Sequence, residues 1–374
     1  MSVRAGVSVA LGLAMAAGLL WLGFASRQGR VERADPLPER RPAPAPGALV
    51  KRWVFEAGSA IVAEAAIEKE RLVFGTDDGR LMALELGEGR RVWEYRTDAA
   101  LSAAPLIVDG TVFIGDDKGR FHAVRLEDGT PLWRFDEAKD KILSRAAAGP
   151  DTVLFGSYDH RLYCLERRTG ALRWAFETEM QVHGSPCIAG EVAVIAGCDG
   201  QARAIGLSDG KQRMSVKLEG NLAAAPAHRD GVVYFGSLSG EYLALRLEDA
   251  QVLWRKEEPD GQFFSTAAVT ADAVVFSSRS NAIFRVRPEN GERVWTFRAR
   301  GGVDSSPTIY RGRVYVGSDD GNLYALDLVD GRECWRFPAG SAIKASPAVA
   351  GNRLAIGTED GAVYCFQDPL SESP

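Results

Sequence analysis

Apolar residues in most of this chain alternate with polar ones in short runs, and turn residues separate those runs. Arg313–Gly317 and Asn322–Asp327 show the pattern, with a Ser-Asp-Asp-Gly turn at 318–321 between them. Period-two alternation bounded by Asp-Gly turns predicts antiparallel β-hairpins. No stretch after residue 50 shows the 3.6-residue period of an amphipathic helix. The sequence therefore predicts an all-β domain.

A repeat of about 40 residues organises these hairpins. Its clearest marker is a tryptophan, and successive markers lie 40 or 41 residues apart, with a methionine in fifth place. The markers are Trp53, Trp93, Trp133, Trp174, Met214, Trp254, Trp295 and Trp335. Each period holds four short strands, and four antiparallel strands per 40 residues are typical of one blade of a β-propeller.

The middle turn of each period gives the number of blades. These turns begin at Gly75, Gly115, Gly156, Gly197, Gly236, Ser277, Gly317 and Gly357, which makes eight. The last period stops at Phe366, before a fourth strand, whereas residues 51–55 contain a marker with no blade ahead of it. We therefore predict that residues 51–55 supply the outer strand of the eighth blade, which closes the ring and removes a free sheet edge. The predicted propeller spans residues 50–367, and a disordered tail follows at 368–374.

The first 25 residues contain an uncharged run, residues 5–25, that is long enough to cross a bilayer core as a helix. We predict a signal peptide or membrane anchor at residues 1–25 and a Pro/Arg-rich linker at 26–49. More arginines follow the run than precede it, which favours a cytoplasmic propeller. One arginine before an apolar run with a small-residue end is, however, typical of an export signal. We favour an inner-membrane anchor with the propeller in the periplasm; a cytoplasmic propeller and a cleaved, secreted form are the alternatives.

Charge and reactive residues narrow the function. After residue 52 the chain has 37 basic and 47 acidic residues, a net charge of −10, which does not suit a nucleic-acid backbone. The five cysteines form no CxxC pair, and the four histidines stand in no spacing typical of a metalloprotease or a catalytic triad. Aspartates recur at the middle turns, where tight hairpins favour them; Ca²⁺ ligation is the alternative. We therefore predict no catalytic, cofactor-binding or metal-binding residues.

One position differs from blade to blade while its neighbours repeat. It lies three residues before the proline of a Ser-Pro-type motif, or at the matching distance from the tryptophan where the proline is missing. The residues there are Val62, Ser102, Ser144, His183, Ala223, Phe264, Asp304 and Lys344. In a propeller these positions ring the mouth of the central channel. We predict that Ser102, Ser144, His183, Phe264, Asp304 and Lys344 contact a ligand or peptide; the alternative is that they are solvated loop tips.

The repeat itself decays in blades four to six. Met214 stands where other blades have tryptophan, Ala250 where they have a turn glycine, and Arg285 with the Ser-Ser-Arg-Ser-Asn run at 277–281 where they have the Gly-x-Asp-Gly pattern. Departures from local consistency often mark functional sites, so these three residues are a candidate partner surface. The alternative is drift, which propeller blades tolerate because each blade contacts only its neighbours.

The run Ala325-x-Asp327-x-x-Asp330-Gly331-x-x-x-Trp335 resembles the tryptophan-docking motif of the pyrroloquinoline quinone (PQQ) repeat propellers. The resemblance covers nearly all of the chain after residue 50. It implies that the tryptophans lock neighbouring blades together, namely Trp53, Trp93, Trp133, Trp174, Trp254, Trp295 and Trp335. One branch of this family comprises quinoprotein dehydrogenases, which hold PQQ and Ca²⁺ in the central funnel and carry an adjacent cysteine pair that is missing here. The other branch comprises BamB-like scaffold subunits of outer-membrane barrel assembly, which are usually lipoproteins.

A chain of eight blades and little else is similar to the BamB-like branch, although it lacks the acylated cysteine of a lipoprotein. The resemblance implies a non-catalytic, protein-binding scaffold of the cell envelope. Such a protein is expected to be a monomeric propeller within a complex, with other envelope proteins or peptides as partners and no cofactor. The alternatives are a quinoprotein-type dehydrogenase that binds PQQ with Ca²⁺, and a sensor that binds a small ligand or peptide in its channel.

Overall fold

The computed structural model describes residues 48–369, and these form eight four-stranded antiparallel sheets. The predicted all-β, eight-bladed propeller is thereby confirmed. Within this part of the chain no helix is long and apolar enough to span a membrane. The predicted signal or anchor segment at 1–25, nearly all of the predicted linker and the last five residues lie outside the described residues.

Each blade is built from consecutive strands, except the eighth. Blades 1 and 2 comprise β2 (Ala66–Glu68), β3 (Arg71–Gly75), β4 (Arg80–Glu85), β5 (Arg91–Arg96), β6 (Leu106–Val108), β7 (Thr111–Gly115), β8 (Phe121–Arg125) and β9 (Pro131–Phe135). Blades 3 and 4 comprise β10 (Ala147–Ala148), β11 (Thr152–Ser157), β12 (Arg161–Glu166), β13 (Leu172–Glu177), β14 (Cys187–Ala189), β15 (Val192–Ala196), β16 (Gln201–Gly206) and β17 (Gln212–Lys217).

Blades 5 and 6 comprise β18 (Ala227–Arg229), β19 (Val232–Gly236), β20 (Glu241–Arg246), β21 (Gln251–Glu257), β22 (Ala268–Val269), β23 (Val274–Ser277), β24 (Ala282–Val286) and β25 (Arg293–Arg298). Blade 7 comprises β26 (Thr308–Tyr310), β27 (Arg313–Gly317), β28 (Asn322–Asp327) and β29 (Glu333–Pro338). Blade 8 comprises β30 (Ala348–Ala350), β31 (Arg353–Gly357), β32 (Ala362–Gln367) and, from the other end of the propeller sequence, β1 (Val50–Glu56).

The ring closes through blade 8, as the sequence predicted. Strand β1 pairs with β32 in antiparallel register, with Val54 opposite Tyr364 and Phe55 opposite Val363. The short first strand of each blade lies at the centre, and β2 contacts both β6 and β30. Because β1 covers the outer side of β32, blade 8 has the same four strands as the others.

The core lies between blades, where the faces of neighbouring sheets pack together. Phe121 of blade 2 stacks on Phe155 of blade 3, with ring centroids 4.1 Å apart. Across the closing seam, Phe74 of blade 1 belongs to one cluster with Val363 and Cys365 of blade 8. Burying a phenylalanine contributes roughly 1.5–3 kcal/mol, so these faces hold the blades together.

A tryptophan on the outer strand of six blades reaches over the next blade. The Trp53 indole N–H donates to the Leu86 carbonyl at 3.0 Å, and the Trp133 indole N–H donates to the Arg167 carbonyl at 3.1 Å. Each indole lies so close to a turn glycine that an added Cβ would meet it at 2.5–2.9 Å. The six are Trp53, Trp93, Trp133, Trp174, Trp254 and Trp295. Trp335 packs instead beside Phe337 and Phe366.

Candidate functional site at the channel mouth

A cavity of about 600 Å³ occupies the central channel, and all eight blades line it. The loop before each innermost strand contributes one residue at an equivalent position. We call these residues the inner ring: Val62, Ser102, Leu143, His183, Ala223, Phe264, Asp304 and Lys344. Five of the six predicted contact residues, all except Ser144, therefore line the cavity. Whether they bind a ligand stays a prediction.

One backbone hydrogen bond positions every inner-ring residue. The amide of the third residue of each middle turn donates to the carbonyl two residues before the inner-ring position, as from Asp77 to Ala60 (3.1 Å) and from Tyr158 to Lys141 (2.9 Å). The same bond recurs in all eight blades. The donors form a second tier of side chains, the outer ring: Asp77, Asp117, Tyr158, Cys198, Leu238, Arg279, Asp319 and Glu359. The two rings thus stand on one repeated backbone frame.

The prediction for Ser144 was wrong by one residue. Its hydroxyl is buried, donates to the Gly156 carbonyl at 3.0 Å and accepts from the Gly156 amide at 2.8 Å, all within its own blade. Leu143 takes the inner-ring place, 31 residues before Trp174, as Phe264 stands 31 residues before Trp295. Without a Ser-Pro proline in blade 3, only that distance could have fixed the register.

The outer ring divides into two halves of different chemistry. Blades 7, 8, 1 and 2, which are neighbours around the ring, contribute carboxylates, and we call this half the acidic arc: Asp319, Glu359, Asp77 and Asp117. The other four blades contribute Tyr158, Cys198, Leu238 and Arg279, above the inner-ring residues Leu143, His183, Ala223 and Phe264. We call this half, with both tiers, the aromatic arc.

Crowded negative charge perturbs the acidic arc. Burial raises the pKa of Asp77, and the neighbouring carboxylates Asp117 and Glu359 raise it further. Burial likewise raises the pKa of Asp319, with Asp304 adding to the effect and Lys344 opposing it. Lys344 forms its ion pair with Glu359 of the same arc, because its ammonium lies 2.5 Å from a Glu359 carboxylate oxygen. The fold therefore stabilises the ionised forms of Asp77 and Asp319 poorly.

The aromatic arc is held by a chain of specific contacts. The Arg279 guanidinium carbon lies 3.7 Å from the centre of the Phe264 ring, and the same guanidinium donates to both Asp304 carboxylate oxygens at 2.6 and 2.7 Å. The edge of His183 faces Phe264, with centroids 6.5 Å apart. Burial and nearby Arg279 lower the pKa of His183, so its ring is neutral at pH 7. The unprotonated Nδ1 of His183 can then accept a hydrogen bond from the Tyr158 hydroxyl, with which it is in contact.

Serines of the Ser-Pro motif link blades along the channel, a role that the sequence analysis missed. The Ser185 hydroxyl accepts from the Arg145 amide at 2.8 Å, and the Ser306 hydroxyl accepts from the Thr266 amide at 3.0 Å. Ser346 receives the Ser306 amide in the same way, at 2.9 Å. The serine that recurs before Pro186, Pro307 and Pro347 was the sequence signal for this link.

An ion pair inside the channel joins two blades that are not neighbours. Arg145 of blade 3 lies 3.2 Å from a Glu64 carboxylate oxygen of blade 1, and both side chains line the cavity. Burial raises the pKa of Glu64, and Arg145 opposes that effect. The solvent that these groups reach is the water of the channel. Their charges therefore compensate each other and leave Asp77, Asp117 and Asp319 of the acidic arc without a cationic partner.

No metal site accompanies these carboxylates in the part of the chain that the structure describes. Between residues 48 and 369, no group of three or more His, Cys, Asp or Glu side chains is arranged to hold an ion. Several aspartates of the middle turns have structural partners instead, as Asp320 has in Tyr324 at 2.6 Å. The described residues thus offer no ready ligand set for the Ca²⁺ that accompanies PQQ.

Two of the three residues of the candidate partner surface, Met214 and Arg285, pack between blades. Met214 is half-buried against the hydrophobic cluster shared by blades 4 and 5. Ala250, at φ +58°, stands on the turn where other blades have glycine. Arg285 is only 11% exposed and donates to the Leu328 carbonyl of blade 7 at 3.1 Å and to the Asp272 carbonyl at 2.9 Å. Packing accounts for the departure of Met214 and Arg285 from the repeat, and a partner contact at the three residues stays a prediction.

The family model described as outer membrane protein assembly factor BamB matches overlapping stretches of the chain, residues 40–174, 128–257, 159–295 and 261–368. These stretches cover the whole propeller. The chain belongs to the BamB family. The outer membrane protein assembly factor BamB of Yersinia pestis is 25% identical over 205 residues, 50% of this chain and 51% of that protein. The chain thus spans about half the length of the curated relatives that it matches.

Solved structures agree on the fold. The crystal structure of BamB from Moraxella catarrhalis superposes with a TM-score of 0.77 at 19% identity, covering 86% of this chain and 100% of that one. A europium-containing methanol dehydrogenase superposes with a TM-score of 0.74 at 13% identity, covering 85% of this chain and 93% of that one. At such low identities the likeness shows a shared propeller and does not choose between a BamB-like and an enzymatic role.

Proposed function

We propose that this BamB-family propeller is a non-catalytic scaffold that docks other envelope proteins during outer-membrane protein assembly. The observation that carries the proposal is the channel mouth, where eight different inner-ring residues stand on one repeated frame of backbone bonds. A rigid, asymmetric surface of this kind suits the recognition of one partner in one orientation. The names of the relatives supply the setting, outer-membrane protein assembly.

The site favours binding over catalysis. Its neutral histidine is engaged by Tyr158, and Cys198 is not activated, because burial raises the pKa of its thiol. In keeping with this role, we propose that the propeller lies in the cell envelope, held near a membrane by the segment at 1–25.

Site-specific photo-cross-linking in cells tests the scaffold proposal. A photoreactive residue replacing Ser102 at the mouth should capture a defined envelope protein. The same residue replacing Glu127 should not, because the turn after β8 lies at the opposite end of that strand from the mouth. Loss of the protein should also lower the amount of folded outer-membrane barrels. Equal capture from both positions, or unchanged barrel levels, would contradict the proposal.

A thermal-shift experiment separates the scaffold from a quinoprotein. A ligand that binds the native state raises Tm, and 100-fold excess over Kd stabilises by about 2.7 kcal/mol. With PQQ and Ca²⁺ added to the full-length protein, we expect no change in Tm and no bound chromophore. A bound chromophore with raised Tm would favour the enzymatic alternative.

A further inference from the structure

We infer that the channel mouth binds a partner segment in which an arginine stands beside an aromatic or large apolar residue. The guanidinium would face the acidic arc and the apolar side chain would face the aromatic arc. This inference rests on the proposed scaffold function and names the chemistry of the partner at the same site. It follows from a count of charges at the mouth, from the size of the cavity and from the apolar residues that line part of it.

The charges of the mouth do not balance. The cavity and its two rings carry six carboxylates, namely Glu64, Asp77, Asp117, Asp304, Asp319 and Glu359, against the cations Arg145, Arg279 and Lys344. Each cation is already paired, with Glu64, Asp304 and Glu359 respectively. Asp77, Asp117 and Asp319 remain, and none of them forms an ion pair with another residue between 48 and 369. An occupant of this mouth that balances the charge is therefore cationic.

One of the remaining carboxylates also lacks a hydrogen bond. The Oδ1 atom of Asp117 is buried and has no hydrogen-bond partner among the described residues. A buried acceptor without a donor costs free energy, and structures retain one where water or a ligand supplies the donor. Burial is the main cause of the raised pKa values of Asp77 and Asp319, and neighbouring carboxylates raise both further.

A guanidinium fits this arrangement better than an ammonium does. Asp77 lies close enough to Asp117 and Glu359, and Asp319 to Glu359 and Asp304, for each neighbour's charge to act on it, so adjacent carboxylates of the arc lie near one another. A guanidinium presents five N–H donors in a fixed plane and can engage several carboxylates at once, whereas an ammonium acts as a compact point charge. It is also less strongly hydrated, which lowers the cost of entering a partly enclosed site.

The apolar part of the cavity lining determines which residue stands next to that arginine. Leu143, Ala223 and Phe264 present apolar surface to the cavity, and His183 beside them is neutral. A second cation would gain little there, because Arg279 already covers one face of Phe264. The cavity of about 600 Å³ lies within the range of roughly 300–1,000 Å³ of sites that enclose small ligands, so it holds a few side chains rather than a folded element.

Two synthetic peptides test the inference directly. The first is an acetylated, amidated, fluorescein-labelled peptide with a central Arg-Phe pair, and the second has citrulline in place of arginine. Citrulline keeps the shape of the side chain and removes its charge. Binding to the full-length protein is measured by fluorescence anisotropy, and we expect the citrulline peptide to bind at least about tenfold more weakly, since it loses charge-assisted hydrogen bonds.

A matched pair of variants locates the binding. The triple variant Asp77→Asn, Asp117→Asn, Asp319→Asn should weaken binding of the arginine peptide about tenfold or more while its Tm stays at or above that of the parent. The control triple variant Glu70→Gln, Glu127→Gln, Glu248→Gln removes the same charge from exposed turns at the opposite ends of the strands, and should bind as the parent does.

Three outcomes overturn the inference: no binding of the arginine peptide, equal binding of both peptides, or equal loss in the two triple variants. These results leave the scaffold proposal standing if the residue at position 102 still captures an envelope protein in cells. Failure of that capture, with peptide binding intact, counts instead against the scaffold role.

Discussion

The rim and the mouth of this propeller use the same repeat in opposite ways. At the rim, six blades make one contact six times, a tryptophan over a turn glycine with its N–H donating to a carbonyl at 2.7–3.1 Å. At the mouth, one backbone hydrogen bond also recurs in every blade. The eight inner-ring residues that it positions are nevertheless all of different types. Because backbone groups hold the mouth in place, its side chains can change without loss of the fold.

Variation at the rim has a different character, since it is compensated by packing. Ala250 carries a Cβ at the turn position where six other blades have glycine beneath an indole, and Met214 holds the position in blade 4 from which the repeat would extend that indole. A thioether chain is narrow and flexible, so it can pack where an indole cannot. At the rim, the departures at Met214 and Ala250 therefore form a pair in which one residue type suits the other. At the mouth, the residue type varies independently from blade to blade.

The largest effect should come from filling a rim glycine. Gly170, at φ +74°, would place an added Cβ 2.5 Å from the Trp133 ring. We expect Gly170→Ala to lower the free energy of unfolding by about 3 kcal/mol, from left-handed backbone strain and displacement of the indole together. Urea unfolding of the full-length protein measures the change.

Gly110→Ala is the control, because Gly110 also has φ +74° and an added Cβ there would meet nothing within 4 Å. Backbone strain alone should cost about 1 kcal/mol. If the two variants lose the same stability, the indole contact does not lock the blades.

A smaller effect should follow from restoring the tryptophan at the exceptional rim position. We expect Met214→Trp to destabilise by about 2 kcal/mol, because the indole would press on the Ala250 side chain and overpack the interface. Adding Ala250→Gly should recover most of that loss, giving a favourable coupling free energy of similar size in a double-mutant cycle. Additive effects of the two substitutions would show that the pair is not compensated.

More features of the rim than of the mouth could be predicted from the sequence, for a physical reason. The rim depends on the Trp and Gly residue types at a fixed spacing, which one sequence displays openly. The mouth depends on which blades become neighbours across the ring, so the split into acidic and aromatic arcs appears only when Glu359 of blade 8 is placed beside Asp77 of blade 1. The pairing of Arg145 with Glu64 across two blades has no sequence signal at all.

The alignment of equivalent positions between blades was the other difficulty in predicting the mouth. In blade 3 a one-residue error exchanged Leu143, which lines the cavity, for Ser144, which turns into its own blade. Successive residues of an extended segment point to opposite sides, so such an error moves a side chain from the channel into the core. The decay at Met214, Ala250 and Arg285 was visible in the sequence, but only the contacts showed that packing explains it.

A further prediction concerns the serine links that hold the mouth from within. Ser306→Ala removes the acceptor of the Thr266 amide, and we expect a loss of about 1 kcal/mol in the free energy of unfolding. Ser102→Ala is the control, because the Ser102 side chain lines the cavity and makes no hydrogen bond to another residue in the described part of the chain. Equal stability of the two variants in urea unfolding would show that the link is not stabilising.

The smallest effect distinguishes two adjacent aspartates at the mouth. Burial and Asp304 raise the pKa of Asp319, whereas hydrogen bonds from Tyr324 and Asn322 outweigh burial and lower the pKa of Asp320. We expect Asp319→Asn to stabilise at pH 7 by only a few tenths of a kcal/mol, because solvent screens this exposed group. Asp320→Asn should destabilise by about 1 kcal/mol, since a charged acceptor of several hydrogen bonds is lost.

The pH dependence of these two variants has opposite signs. A carboxylate whose pKa is raised by folding binds its proton more tightly in the folded state, so the stability that protonation brings is present below about pH 4 and is lost as the pH rises through the raised value. The advantage of Asp319→Asn over the parent should therefore vanish on acidification to about pH 4. Asp320 contributes stability above about pH 4 that is lost as the pH falls through its lowered pKa, so the deficit of Asp320→Asn should shrink only in stronger acid. Urea unfolding across this pH range measures both trends, and a stability penalty for Asp319→Asn at neutral pH would mean that its carboxylate serves the fold rather than a cationic partner.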